Sequence, residues 1–242
     1  MMEILPLSLA VFAVALLYAS VGHGGASGYL AVMALFAVSP EWLRPTALVM
    51  NVMVSSIGTV AFYRAGHFRN RLFWPLALAA IPFAYLGGSI ELPDAAFRLM
   101  LGTALVVASL RLFLPTPTST EIRQPAMAML LGCGAVMGLA SGLIGVGGGI
   151  FLTPLAILLR WAPPKSAAAI SAPFIWLNSL AGLGGLRPDF TDFHPALPWM
   201  AIAVVTAGTL GALWGSRLAN SRQLRGSLAV VLLLASGKLL FT

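Results

Sequence analysis

Charge is what this chain has least of. Asp, Glu, Lys and Arg together supply 9% of its 242 residues, where an ordinary soluble domain carries about a quarter. So few charges cannot solvate a chain that is 59% hydrophobic, which excludes a water-soluble fold. Cysteine is nearly missing as well: Cys133 stands alone, so there is no internal disulfide and no thiolate cluster. Histidine occurs only as His23, His67 and His194, and no group of His, Cys, Asp and Glu has metal-ligand spacing. No metal, other cofactor or catalytic residue is therefore expected. Carboxylates are absent where they would matter most. Glu3, Glu41, Glu91, Asp94, Glu121, Asp189 and Asp192 all fall at the N-terminus or between apolar runs. That argues against a cation pump or a carboxylate proton relay inside the membrane. A nucleotide site is absent too, because Gly22–Gly28 lacks the Lys-Ser/Thr of a P-loop and follows no strand.

What the chain does have is long apolar runs: Ile4–Val38, Thr46–Tyr63, Leu72–Ile90, Ala95–Leu114, Ala126–Leu159, Ala167–Leu186, Ala196–Leu213 and Leu228–Phe241. Most reach the roughly 20 residues that carry a helix across a ~30 Å hydrocarbon core. The expected fold is an all-α polytopic membrane protein. The formal net charge of +7 comes from basic residues placed singly in short loops, which suits lipid headgroups and topology control and not nucleic acid. No basic n-region precedes the first run, so Ile4–Val21 is expected to stay in the mature chain.

Two glycine clusters interrupt corresponding runs: Gly22-His23-Gly24-Gly25 and Gly145-Val146-Gly147-Gly148-Gly149. The likeness extends beyond them. Pro45-Thr46-Ala47 resembles Ile170-Ser171-Ala172, Asn51 and Asn178 each precede small residues and a Gly, and Ala108-Ser109-Leu110-Arg111-Leu112 matches Ala235-Ser236-Gly237-Lys238-Leu239. The chain thus divides into a first repeat, 1–115, a linker, 116–123, and a second repeat, 124–242.

Basic residues collect in cytoplasmic loops, and equivalent loops of the two repeats carry opposite balances. Inverted halves put Arg64, Arg69, Arg71, Arg160, Lys165, Arg217, Arg222 and Arg225 inside and only Arg44, Arg98 and Arg187 outside. Parallel halves leave the sides nearly balanced. Inversion requires each glycine-split run to return to the side it came from. A straight helix of about 35 residues would span roughly 52 Å, far beyond the bilayer core. Each repeat is therefore expected to be a glycine-broken helical hairpin followed by three transmembrane helices.

Helices that restart after the glycines, at Ala26 and Ile150, would aim free N–H groups and the positive end of a helix dipole at the turn. The candidate substrate-binding residues are Gly22, His23, Gly24, Gly25, Ser27, Thr46, Asn51, Gly145, Gly147, Gly148, Gly149, Ser171 and Asn178. His23 and Ser27 have no counterpart in the second cluster, so selectivity is expected first at the first turn. Gly25-Ala26-Ser27-Gly28 also spells the G-x-S-G of intramembrane serine hydrolases, a competing reading with Ser27 as nucleophile. An anion channel is a further alternative, although no ring of charges offers a filter.

The early Gly22-x-Gly24-Gly25, the Ser141-Gly142-Leu143-Ile144-Gly145-Val146-Gly147-Gly148-Gly149 motif after a central linker, and the duplicated four-segment halves resemble the sulfite exporter TauE/SafE family of membrane permeases. The resemblance covers essentially the whole chain. It implies a secondary transporter, an exporter of sulfur oxyanions or organosulfonates such as sulfite or sulfoacetate, in the bacterial inner membrane. The expected partners are a small anion and membrane lipids, with a proton or sodium as coupling ion and a second copy in a homodimer left open. The topology is directly testable. On a background without Cys133, cysteines replacing Arg69 and Arg187 should be labelled by an impermeant maleimide from opposite faces of the membrane; labelling from one face would reject inversion.

Overall fold

The computed structural model describes residues 4–20, 22–113 and 122–218, and these are helical throughout apart from their connections. The first glycine-split run forms α1 (Ile4–Ser20) and α2 (Ala26–Leu35), followed by α3 (Pro40–Arg64), α4 (Asn70–Ser89) and α5 (Asp94–Phe113). The second forms α6 (Met127–Ile144) and α7 (Gly149–Leu158), followed by α8 (Pro164–Leu186), a single 3-10 turn at Phe190–Asp192, and α9 (Leu197–Leu218). Most of the expected linker, the expected span Leu228–Phe241, Arg222 and Arg225 lie outside the described residues. Among the described residues, five helices are long and apolar enough to cross a membrane: α3, α4, α6, α8 and α9.

Both expected breaks are present. α2 begins at Ala26 and α7 at Gly149, one residue before Ile150. The residues preceding them, Gly25 at φ 102° and Gly148 at φ 78°, are left-handed, a backbone that glycine adopts without steric cost. One boundary differs from expectation. α3 starts at Pro40 and not near Thr46, because Pro40 occupies the first helical turn, where its missing N–H is no loss, and Glu41 sits favourably by the N-terminal dipole. Arg44, expected in a loop, is therefore carried into the helix and buried.

The main helix contacts of the two halves correspond. α1 lies against α9 as α6 lies against α4; α3 meets α9 as α8 meets α4; and α3 and α8 pack on each other. In lipid there is no hydrophobic force between helices, so close approach of small residues takes over. Gly134, Gly138 and Gly142 of α6 abut the backbones of Leu76, Ala80 and Ala84 of α4, a rising order on both helices that makes the pair parallel. α3 and α8 run antiparallel, with Leu48 near Gly182, Asn51 bonded to Ser179, and Gly58 near Ala172.

The hairpins close back on themselves. Arg123 N–H donates to Arg160 O at 2.8 Å, so the end of α7 lies beside the start of α6. Arg69, Arg71 and Arg123 line one cleft of about 800 Å³ at that end. At the other end lie the starts of α3, α5 and α9 and the ends of α4 and α8, together with Glu41, Glu91, Asp94, Asp189 and Asp192. α2 leads into the acidic end and α7 returns to the basic one, an arrangement consistent with inverted halves. The α4–α6 seam yields a stability test. A side chain at Gly138 would overlap the Ala80 carbonyl, whereas one at Gly132 meets nothing within 4 Å. Gly138→Leu should cost about 1–3 kcal/mol or more, read as a lower Tm in detergent, while Gly132→Leu stays within about 0.5 kcal/mol of the parent.

Candidate functional site

The two glycine turns meet on one side chain. Asn51 stands beside the midpoint of α3, and a methyl built on Gly24 would overlap its Oδ1 while one on Gly147 would overlap its Nδ2. The carboxamide is thus held between the two clusters, and only glycine permits that approach from either side. Asn51 Oδ1 accepts the Ala26 N–H at 3.2 Å, capping the start of α2 from across the bundle. Its Nδ2 donates to Ser179 Oγ at 2.8 Å, joining α3 to α8. Ile175, the central residue of α8, closes the opposite wall: added methyls on Gly24 and Gly147 would lie 2.9 and 3.0 Å from its Cγ2, and one on Gly149 would overlap it. A methyl on Gly149 would also come within 3.9 Å of His23 Cδ2.

Around the first turn, polar groups are engaged. Tyr29 OH donates to Gly24 O at 2.8 Å, the His23 N–H donates to Tyr18 O at 2.9 Å, and the His23 ring stands edge-on to Tyr18 at 6.4 Å. Ser27 is 2% exposed and shares a hydrogen bond of 2.9 Å with Tyr18 OH. Gly22 is closed in by Ala168 and Phe62.

The second turn differs. Asn178, on α8, is 1% exposed, yet neither Oδ1 nor Nδ2 has a hydrogen-bond partner among the described residues. Its Nδ2 lies 3.5 Å from where a Cβ on Gly148 would stand, at the N-terminus of α7. The N-cap of α7, Gly148, has no side chain to cap it. Ser141 Oγ, in the last turn of α6, is likewise buried without a partner. Each such group costs about 1–3 kcal/mol when left unbonded.

Other candidates serve elsewhere. Thr46 Oγ1 accepts the His194 N–H at 3.0 Å, fastening the loop before α9 to the acidic end of α3. His194 Nδ1 accepts the Ala196 N–H at 3.1 Å, and partial burial holds this imidazole below the ordinary histidine range. Ser171 pairs with Thr153 at 2.7 Å, tying α7 to α8. Gly145 lies against the backbone of Arg44, 3.3 Å from a built Cβ to Cα.

Sequence reasoning missed Arg44 as a structural element. It is 8% exposed, and its Nη2 donates to Gly87, Gly88 and Gly142 carbonyls at 3.3, 3.2 and 2.9 Å, while Nη1 reaches Ile90 O at 3.3 Å. One guanidinium therefore satisfies buried carbonyls at the ends of both α4 and α6, which have no intrahelical partner. The available signal was Pro40-Glu41, a helix start placed early enough to draw Arg44 inside. Ser179 was missed as well, although it follows Asn178 directly.

A helical, multi-spanning chain with glycine breaks meeting midway along its spans has the build of a membrane transporter, and relatives define it further. The family model for sulfite exporter TauE/SafE matches residues 7–239. The chain belongs to that family. It is 38% identical over 244 residues to the probable membrane transporter protein y4hK of Sinorhizobium fredii, covering 99% of each. It is 26% identical over 213 residues to a probable membrane transporter protein of Xylella fastidiosa, covering 83% of this chain and 81% of that one. No solved structure gives a significant match. Family membership removes the hydrolase reading of Ser27, whose hydroxyl is in any case paired with Tyr18. Arg44→Met should lower stability by about 2–3 kcal/mol, since hydrogen bonds from a charged donor are lost. Arg44→Lys should restore only part of the Tm, because one ammonium cannot span both helix ends.

Proposed function

We propose that the chain is a secondary transporter that exports small anions across the bacterial inner membrane, with sulfur oxyanions or organosulfonates such as sulfite or sulfoacetate as the substrate class. The observation that carries this reading is the meeting of Gly24 and Gly147 on Asn51 beside the midpoint of α3. Irregular backbone at that depth is tolerated only inside protein or against a cavity. Helix N-termini aimed there favour negative charge, and every carboxylate among the described residues is at the far acidic end. A fixed negative charge near the junction would repel an anion; none is there among the described residues.

In this reading the halves are inverted, and alternating access comes from one half rocking against the other about the paired turns. The small-residue seams α4–α6 and α1–α9 each join one half to the other, so they are the surfaces along which such a movement shears. A proton or sodium ion as coupling species and a homodimer are compatible with this scheme. The site is tested by Gly24→Val and Gly147→Val. Either branched side chain would displace the Asn51 carboxamide, so sulfite flux in proteoliposomes should fall at least 100-fold while membrane insertion is retained. Normal flux in both variants would remove the junction from the transport path.

A further inference from the structure

The two turns are built alike but finished differently, and the difference points to where an anion binds. We infer that the oxyanion contacts lie at the second turn, where the Asn178 carboxamide and the N–H groups opening α7 take the ligand, whereas the first turn is a preformed structural half clasped by Asn51. This rests on the anion-transport reading above and assigns the ligand to one side of its site.

Internal comparison supplies the argument. In the first half, the helix after the turn has its opening N–H occupied, since Ala26 donates to Asn51 Oδ1. The rest of that carboxamide is spent on Ser179. Tyr18, Ser27 and Tyr29 are bonded to one another or to the turn. In the second half the equivalent asparagine sits against the equivalent N-cap glycine, with both amide atoms idle at 1% exposure. In α7 the hydrogen bonds to Gly148 O come from Phe151 and Leu152, so the Gly149 and Ile150 N–H groups open toward the turn without an intrahelical acceptor. Ser141 Oγ, on the other arm of the same hairpin, is a further idle group. Gly142 and Gly182 touch, placing Ser141 and Asn178 each within about one helical turn of that contact.

Buried donors without acceptors are what a small oxyanion completes: backbone N–H groups at a helix start, with a carboxamide NH2 beside them. With neither atom engaged, the Asn178 amide is free to turn its NH2 toward the ligand. Arg44, whose backbone flanks Gly145, adds a buried positive charge on the same side and has no basic counterpart in the second half, where Ala169 occupies the matching place before Ile170-Ser171-Ala172. Selectivity is thereby shifted from His23 and Ser27, where the sequence suggested it, to Asn178.

The experiment compares Asn178→Leu and Asn178→Asp with Asn51→Leu in purified protein, using sulfite and sulfoacetate as probes in thermal-shift titrations and sulfite flux in proteoliposomes. Asn178→Leu should keep the unliganded Tm of the parent or exceed it, while sulfite affinity and flux fall at least 10-fold. Asn178→Asp should abolish the ligand-induced shift, because it sets a carboxylate against the anion. Asn51→Leu should instead lower the unliganded Tm. Unchanged sulfite affinity in Asn178→Leu, or a loss of unliganded Tm as large as that of Asn51→Leu, would overturn the assignment and make Asn178 structural. Failure of the parent protein itself to respond to either probe would overturn the anion reading, and this inference with it.

Discussion

The controlling constraint in this molecule is that hydrocarbon offers no hydrogen bonds, so every backbone group released from a helix must find a partner inside the protein. The chain breaks two helices in mid-membrane and so releases such groups twice. Asn51 answers the first break by capping Ala26 from α3 and anchoring to Ser179 on α8, which makes one side chain the joint between the two halves. Arg44 answers the same problem at the helix ends, collecting carbonyls from α4 and α6. Between them these two polar residues close the first break and the ends of α4 and α6.

Around that joint the bundle is held by proximity of backbones. The α4–α6 seam is lined by glycines on one helix facing the backbone of the other, and α1 meets α9 in the same fashion at Gly211 and Leu16. Such seams have little side-chain interdigitation to resist sliding, yet they are intolerant of added volume. A transporter needs surfaces of this kind between parts that move. The charges are sorted by the same architecture, with Arg69, Arg71 and Arg123 around one end and the described carboxylates around the other, where the buried Arg44 stands beside the second turn.

The two halves have corresponding elements without matching chemistry. Asn51 is fully engaged while Asn178 is not, and Arg44 has no basic equivalent in the second half. A pair of turns that is symmetrical in backbone and unsymmetrical in polar satisfaction separates two tasks that a strictly symmetrical site would share: holding the bundle together and receiving a ligand.

Much of this was legible in the residues. Apolar runs located the helices, and glycine clusters located the breaks to within a residue, because both signals are local: a run is long enough to span or it is not, and a Gly-x-Gly-Gly interrupts a helix whatever surrounds it. Loop charges were enough to separate the basic end from the acidic one. What the sequence could not decide was partnership. Thr46, Ser27 and Ser171 read as candidates beside Asn51 and Asn178, yet they are spent on His194, Tyr18 and Thr153, and Arg44 read as a loop cation. Composition and apolar run lengths determined that this chain is a helical membrane protein broken at its glycines. Only the tertiary structure decided which polar side chains are consumed in holding the breaks and which remain open, because a hydrogen bond between residues such as Asn51 and Ser179, 128 positions apart, exists only once the helices carrying them have packed.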